Sequence, residues 1–265
     1  MKPLDNGKHR GILRREAGEK KFRLARYLPA QDLHYFVDFY WSVTWDLREQ
    51  EPYVQEVLPY PSVHLVFEKD QTRIFGVMTG RFTRLLENAG RAFSVKFRPG
   101  GFYPFVKRPV SAFTNATLSC RDAFGVDDCA LEEAVLARED EGAMQVVEDF
   151  LRARLPEEDE HVGEVNRIVD YIIAHPEITR VDDVVSSLDL NKRALQRLFS
   201  QYVGVSPKWV IKRYRLHEAA ERLAAGEVMD GAQIAQDLGY FDQAHFIKDF
   251  KAIIGKTPGE YTQEL

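Results

Sequence analysis

DLGYFDQAHFIKDFKAIIGKTP, residues Asp237 to Pro258, sets a Gly before an aromatic pair, then an Asp, two Phe four apart, and a second Gly followed by Thr-Pro. Sliding the sequence by 51 residues lays Leu195, Phe199, Gly204, Ser206 and Pro207 over Phe246, Phe250, Gly255, Thr257 and Pro258. Punctuation repeated at a fixed offset marks one supersecondary unit used twice. In the first copy, "TRVD" opens a helix with Thr179 and Asp182 at capping-box spacing, and Val181, Val184, Val185 and Leu188 form its inner face. A turn of about three residues, the length of a helix-turn-helix connection, leads to "NKRALQRLFSQYVG". There Ala194, Leu195, Leu198, Phe199 and Tyr202 point inward and Gly204 ends the helix. In the second copy Ile234, Ala235 and Leu238 face inward, Gly239 supplies the turn, and Asp242 caps a helix that buries Phe246 and Phe250.

The two copies are joined by "SPKWVIKRYRLHEAAERLAAG", with Ser206 as N-cap, Pro207 in the first turn and Gly226 as terminator. Roughly 18 helical residues at about 1.5 Å each make a rod of about 27 Å. With side-chain packing added, such a rod can hold two reading helices about 34 Å apart, one turn of B-DNA, so that both enter successive major grooves. The net charge of −5 disfavours indiscriminate attraction to polyanions. From Leu190 to His217, however, seven basic residues (Lys192, Arg193, Arg197, Lys208, Lys212, Arg213, Arg215) stand with no acid. On a plain helical bundle such a run is a solvated face; on a duplicated helix-turn-helix it is the footprint of a polyanion.

With the apolar faces assigned, Lys192, Arg193, Gln196, Arg197 and Ser200 remain outward on the first reading helix, and Gln243, Ala244, Ile247, Lys248 and Lys251 on the second. Arg pairs bidentately with guanine and Gln with adenine, so Arg193, Gln196, Arg197 and Gln243 are the base-reading candidates, with Ala244 and Ile247 able to touch a thymine methyl. Lys192, Lys208, Lys212, Arg215 and Lys248 are candidate phosphate contacts. His245, beside the inward Phe246, reads as a packing histidine.

These residues also resemble a known family. "RALQRLFSQYVGVSP", "RLHEAAERLAAG" and "IAQDLGYFDQAHFIKDFKAIIGKTPGEY" look like the AraC/XylS-type DNA-binding domain over about Val162 to Leu265, with Asn191 standing where a Ser cap is usual. The resemblance implies a bacterial transcription regulator whose partner is double-stranded DNA and whose N-terminal domain senses a small-molecule effector or forms a homodimer, with RNA polymerase as a further candidate partner. It also implies a second reading of Arg215, a pairing inside the domain. No cofactor and no enzymatic activity are expected.

Upstream the period changes. From Tyr35 to Leu47 apolar residues occupy every odd position, a strand pattern, and "VHLVFE", "RIFGVMT" and "RAFSVKFR" continue it. Asp127 to Arg138 and Gly142 to Leu155 then read as amphipathic helices, and the acidic "LPEEDE", Leu155 to Glu160, as a connection between domains. The expected fold is α+β. A β-rich, barrel-like sensor or dimerisation domain with flanking helices spans 1–155, an acidic linker 156–161, and an all-α domain of two helix-turn-helix units joined by a long helix 162–265. Aromatic residues abound in the first domain, and Trp41, Trp45, Arg98, Phe102 and Tyr103 are the effector-binding candidates, with "FRPGGFYPF" as a pocket rim and Arg98 as an anion partner.

Other functions lack their motifs. Cys120 and Cys129 lie nine apart without metal-ligand spacing and read as reduced thiols, and His34, His64, Glu56 and Glu68 form no recognised metal set, so no metal is expected. No nucleophile elbow or phosphate loop occurs. No run of about 18 apolar residues and no apolar leader is present, which places the chain in the cytoplasm and off the membrane. Two rival readings stay open: a non-specific nucleic-acid-binding protein, and an N-terminal barrel enzyme fused to a DNA-binding module.

Overall fold

A computed structural model describes Leu13 and residues 15–225 and 231–263; Gly226, the expected terminator of the connecting helix, lies outside them. The strands are β1 (Phe22–Tyr27), β2 (Val37–Asp46), β3 (Tyr53–Val57), β4 (His64–Glu68), β5 (Arg73–Phe75), β6 (Phe82–Leu86), β7 (Ala89–Phe97) and β8 (Thr117–Leu118). The helices are α1 (Arg15–Glu19), α2 (Tyr103–Val106), α3 (Cys120–Phe124), α4 (Asp128–Leu136), α5 (Asp140–Arg152), α6 (Glu160–Ala174), α7 (Val181–Ser187), α8 (Lys192–Leu198), α9 (Pro207–Ala224), α10 (Gly231–Asp237), α11 (Gln243–Ile254) and α12 (Pro258–Gln263). All described strands precede Ser119, and all helices of eight or more residues follow it.

Six strands pair in the order β1-β2-β7-β4-β5-β8, and β3 pairs only with β6 in a separate ribbon. The sheet is therefore open. The barrel-like expectation is corrected: β1 and β8 are edges that do not meet, and β8 is only two residues long. One sheet face packs on α5 and the 102–113 segment through Tyr40, Leu65, Phe67, Phe93, Val95, Val147 and Leu151.

The regular alternation read from Tyr35 to Leu47 breaks inside β2. Val37 pairs with Phe97 but Phe39 pairs with Lys96, so Asp38 is an extra residue, a β-bulge. Beyond it the phase inverts: Tyr40 and Ser42 join the core face with Val95 and Phe93, while Phe39 and Trp41 turn to the opposite face beside Lys96 and Ser94. Polar Ser94 and Lys96 are buried because that second face is covered too, which strand period alone does not reveal. On it, Lys96 Nζ lies 4.7 Å from the Phe39 ring and 4.3 Å from the Tyr60 ring and pairs with Asp38 Oδ2 at 2.6 Å.

The helical half holds two further cores. One gathers Val162, Val165, Ile168, Val169, Leu195, Phe199, Val203 and Val210 from α6 through α9, together with Val77. The other gathers Leu216, Leu223, Ile234, Leu238, Phe246, Phe250 and Tyr261 from α9 through α12, together with Leu13 and Leu58. The β-rich half thus places an apolar anchor in each helix-turn-helix core. Polar contacts follow the same seam: Gln201 Nε2 donates to Tyr103 Oη at 2.6 Å, Thr114 Oγ1 donates to the Gly204 carbonyl at 2.6 Å, and Arg81 Nη1 donates to the Ile254 carbonyl at 3.3 Å.

Gly204 serves two purposes in this seam. Its φ of +91° ends the helical turn that follows α8, and a Cβ there would lie 2.9 Å from Val110 Cγ1. Alanine is therefore strained both by backbone and by contact. Gly204→Ala should destabilise the protein by about 1–3 kcal/mol, measured as a lower urea midpoint; an unchanged midpoint contradicts the close docking.

Candidate nucleic-acid interface

The first unit is built from short helices held by local caps. The Asp183 carboxylate accepts from the backbone N–H groups of Thr179 (3.2 Å) and Arg180 (2.8 Å), so the cap is one residue later than the Thr179/Asp182 box expected. The turn bends at Asp189, φ +51°, and Leu190 N–H donates to the Val185 carbonyl at 3.0 Å. Asn191 Oδ1 then accepts from both Arg193 and Ala194 N–H at 3.0 Å, capping the helix as a Ser at that position would. Beyond α8 the chain runs on through a π-type turn, Phe199–Val203.

In the second unit Gly239, φ +66°, takes the place of Asp189, and Tyr240 N–H donates to the Ala235 carbonyl at 2.8 Å. Asp242 accepts from His245 N–H at 2.7 Å and so caps α11. These turn contacts repeat at an offset of 50, whereas the caps Asn191 and Asp242 repeat at 51, so the second turn is one residue longer. The added residue is Phe241, whose surface is 96% exposed. Sequence reasoning counted it only as half of an aromatic pair; the change in offset was the signal that set it apart.

Leu195, Leu198, Phe199 and Tyr202 are buried at helical spacing, as expected, but Ala194 is exposed, since it stands about 100° around the helix from Leu195. Arg193, Gln196, Arg197 and Ser200 are all exposed and share one stripe by their spacing of three and four. At its far end Ser200 Oγ lies 3.3 Å from Ser111 Oγ of the β-rich half. On α11, Gln243, Ala244, Lys248 and Lys251 are exposed. Ile247 is half-buried against the neighbouring core and so is less available than expected. His245 is exposed rather than packed inside, its ring perpendicular to that of Tyr240 at 5.4 Å between centroids and its Nε2 3.6 Å from Asp249 Oδ2.

The basic run divides. Arg213 is 0% exposed, with its guanidinium 4.5 Å from the Trp209 ring and Nη2 donating to the Thr79 carbonyl at 2.5 Å; burial pulls its pKa down to about 10. Arg215 is also turned in, 4.1 Å over the Tyr240 ring, its pKa lowered chiefly by burial. Of the two readings of Arg215, the geometry supports the one inside the domain. Lys212 Nζ pairs at 2.7 Å with Asp249, whose side chain is 14% exposed, and Lys192 pairs at 2.5 Å with Asp182 on the surface. Arg193, Arg197, Lys208 and Lys248 present exposed cations.

The effector candidates do not converge. Phe102 is in the main core, and Tyr103 faces the helical half, its ring 4.2 Å from Tyr202. Trp45 donates to the Glu87 carbonyl at 3.1 Å near the end of the sheet. Trp41 donates to His64 Nδ1 at 3.3 Å, and His64 stays a neutral acceptor because burial, then the nearby Lys96 charge, depresses its pKa to about 3. Arg98 borders a cavity shared with Tyr60, Ser62 and Tyr214. Cys120 is buried, its thiol pushed up to about 12 by burial and then by Asp128, whereas Cys129 is exposed. Among the described residues no group of three or more His, Cys, Asp or Glu is placed to hold a metal, and no helix is long and apolar enough to cross a membrane.

Residues 184–264 match a helix-turn-helix domain and residues 25–119 a domain of unknown function (DUF6597). Over 84 residues the chain is 33% identical to YtdP of Bacillus subtilis, described as an uncharacterized HTH-type transcriptional regulator, which covers 32% of this chain and 11% of that protein. Over 106 residues it is 29% identical to the regulatory protein PocR of Salmonella typhimurium, covering 40% and 35%. The chain thus spans about a third or less of the length of these two relatives. The solved structure of ToxT from Vibrio cholerae aligns over 93% of this chain and 98% of that one at 14% identity, with a TM-score of 0.38.

On duplex DNA, Lys208→Ala should reduce the slope of log affinity against log salt by about 0.9 per lost phosphate contact. Arg215→Met should leave that slope unchanged and lower the melting temperature instead. Equal slope changes in the two variants would return Arg215 to the phosphate surface.

Proposed function

We propose that this chain, whose C-terminal region is a double helix-turn-helix domain of the AraC/XylS type, is a sequence-specific DNA-binding transcription regulator controlled through its β-rich N-terminal half. The observation that carries the reading is the pair of outward stripes: Arg193, Gln196 and Arg197 on α8, and Gln243, Ala244 and Lys248 on α11, with α9 between the two units. Side chains able to pair with base edges stand outward on each capped helix, while the apolar residues between them are spent on the cores. Phe241, in the turn just ahead of α11, adds an exposed apolar surface of the kind that meets a thymine methyl or a sugar.

Control is assigned to the N-terminal half because that half reaches both units. Val77 enters the α6–α9 core, Leu13 and Leu58 enter the α9–α12 core, and Ser111 touches the end of the α8 stripe. A change in how the sheet sits is therefore felt at each reading helix. We assign residues 156–161, which run from beyond α5 into the first turn of α6, as the connection between the halves; they hold the N-cap Asp159, whose carboxylate also accepts from Tyr202 Oη at 2.7 Å.

Selection of duplexes from a random pool by the full-length protein tests the reading. A defined site should emerge, and Arg197→Ala should weaken binding to it by about 1–3 kcal/mol and relax preference at one base position, without changing affinity for unrelated duplexes. Equal binding to every duplex, before and after substitution, would leave only non-specific association.

A further inference from the structure

The two reading helices carry different outward chemistry. On α8 the exposed stripe is Arg193, Gln196, Arg197 and Ser200, all of them groups that hydrogen-bond. On α11 the exposed residues of the first two turns are Gln243, Ala244, His245 and Lys248, and His245 Nε2 lies 3.6 Å from Asp249 Oδ2 of its own helix. With Lys248 suited to phosphate, Gln243 is left as the amide that can pair with a base edge.

Just ahead of α11 stands an apolar group with no counterpart in the first unit. Phe241 is 96% exposed, whereas the next most exposed large apolar side chains among the described residues, Val54 and Leu85, reach 49%. Single apolar groups at a protein surface are ordinary, but a phenyl ring with almost no cover is not, and the backbone that carries it is fixed. Tyr240, before it, is buried with its ring 4.1 Å beneath the Arg215 guanidinium, and its N–H donates to the Ala235 carbonyl at 2.8 Å. Asp242, after it, accepts from His245 N–H at 2.7 Å. The ring is therefore held outward by a turn secured on both sides. In the first unit Leu190 alone separates Asp189 from the cap Asn191; in the second, Tyr240 and Phe241 separate Gly239 from the cap Asp242.

A helix-turn-helix sets the N-terminal residues of its reading helix against base edges, so a ring at this position shares a groove with Gln243 and Ala244. A phenyl ring has no hydrogen bond to offer there. The feature of the major groove that it fits is the C5-methyl group of thymine, which 5-methylcytosine carries as well. We infer that Phe241 is a specificity-determining residue that reads the C5-methyl group of a pyrimidine, so that the two halves of the bound site are recognised by different means: hydrogen bonds under α8 and a methyl contact under α11. Because the ring senses the methyl group and not the base that bears it, methylation of a cytosine at that position strengthens binding. The inference deepens the proposed sequence-specific DNA binding and rests on it.

The test uses the full-length protein on its selected duplex, with each thymine replaced in turn by deoxyuridine, which removes the methyl group and keeps the base pair. Replacement of one thymine, about one duplex turn from the base position that Arg197→Ala relaxes, should lower affinity about fourfold, the worth of one buried methyl-sized group. In Phe241→Ala the affinity for the unmodified duplex should already be reduced and the same replacement should change nothing, while Phe241→Leu should keep part of the effect. With cytosine at that position, 5-methylation should raise the affinity of the parent protein about fourfold and leave that of Phe241→Ala unchanged. All three proteins should melt at the same temperature and bind unrelated duplexes equally. A uracil effect that persists in Phe241→Ala, a selected duplex with no sensitive thymine, or a Phe241→Ala protein that melts lower and loses affinity for every duplex alike would overturn the assignment and leave the regulator reading in place. If no site is selected from the pool, that reading fails and the assignment falls with it.

Discussion

Helix α9 is attached at both ends, and the attachment of its second half is electrostatic as well as apolar. Lys212 reaches across to Asp249 on α11 at 2.7 Å, and one turn later Arg215 lies 4.1 Å over Tyr240, the residue that closes the turn before α11. Two cations one turn apart on one helix thereby hold the second reading helix at a set angle, while Phe250 and Leu216 fill the space beneath them. At the other end Ser206 caps the helix through Trp209 N–H at 3.2 Å, and Val210 and Ile211 join the core of the first unit. The 18 residues of α9 carry this geometry from one unit to the other. An ion pair that is largely screened on an open surface costs more to break where, as for Asp249, the carboxylate left behind is mostly withdrawn from water.

The same residues explain why a chain of net negative charge carries so dense a basic run. Part of the run is structural: Arg213 is enclosed between Trp209 and the Thr79 carbonyl at the seam, and Arg215 is spent on Tyr240. What remains outward is a small set of cations and amides on α8, at the start of α9 and on α11. On the proposed regulator reading, that division separates holding from reading. It also gives the N-terminal half a direct grip on α9, since a shift of Thr79 or of Tyr60, whose ring stacks 4.5 Å from His217, is a shift against the connecting helix itself.

The helical half was legible because its determinants are local. Caps such as Asn191 and Asp242, terminators such as Gly204 and Gly255, and inward residues at spacings of three and four act within a turn or two of the chain, and so they survive in the sequence pattern. The N-terminal half was read less well for the opposite reason. Extra residue Asp38 inverts the phase of β2, yet a bulge is defined by its partner strand and leaves the alternation of apolar residues intact. Strand β1 and the ribbon of β3 and β6 were not anticipated, their apolar alternation being diluted by charged residues such as Arg23, Arg26 and Arg84. Closure into a barrel depends on whether β1 and β8 meet, a question of long-range pairing. The cavity belongs to the same class, since Arg98 was picked out from sequence but Tyr60, Ser62 and Tyr214 come together with it only through the docking of two halves.

The claim on which the account stands is that α9 fixes the two reading helices about one duplex turn apart, near 34 Å. Hydroxyl-radical footprinting of the full-length protein on its selected duplex, repeated after inserting about half a helical turn of DNA between the two protected segments, measures this directly. The account predicts two protected segments on one face in successive major grooves, and loss of one of them, with a large fall in affinity, after the insertion. Protection of a single groove, or binding indifferent to the insertion, would contradict it.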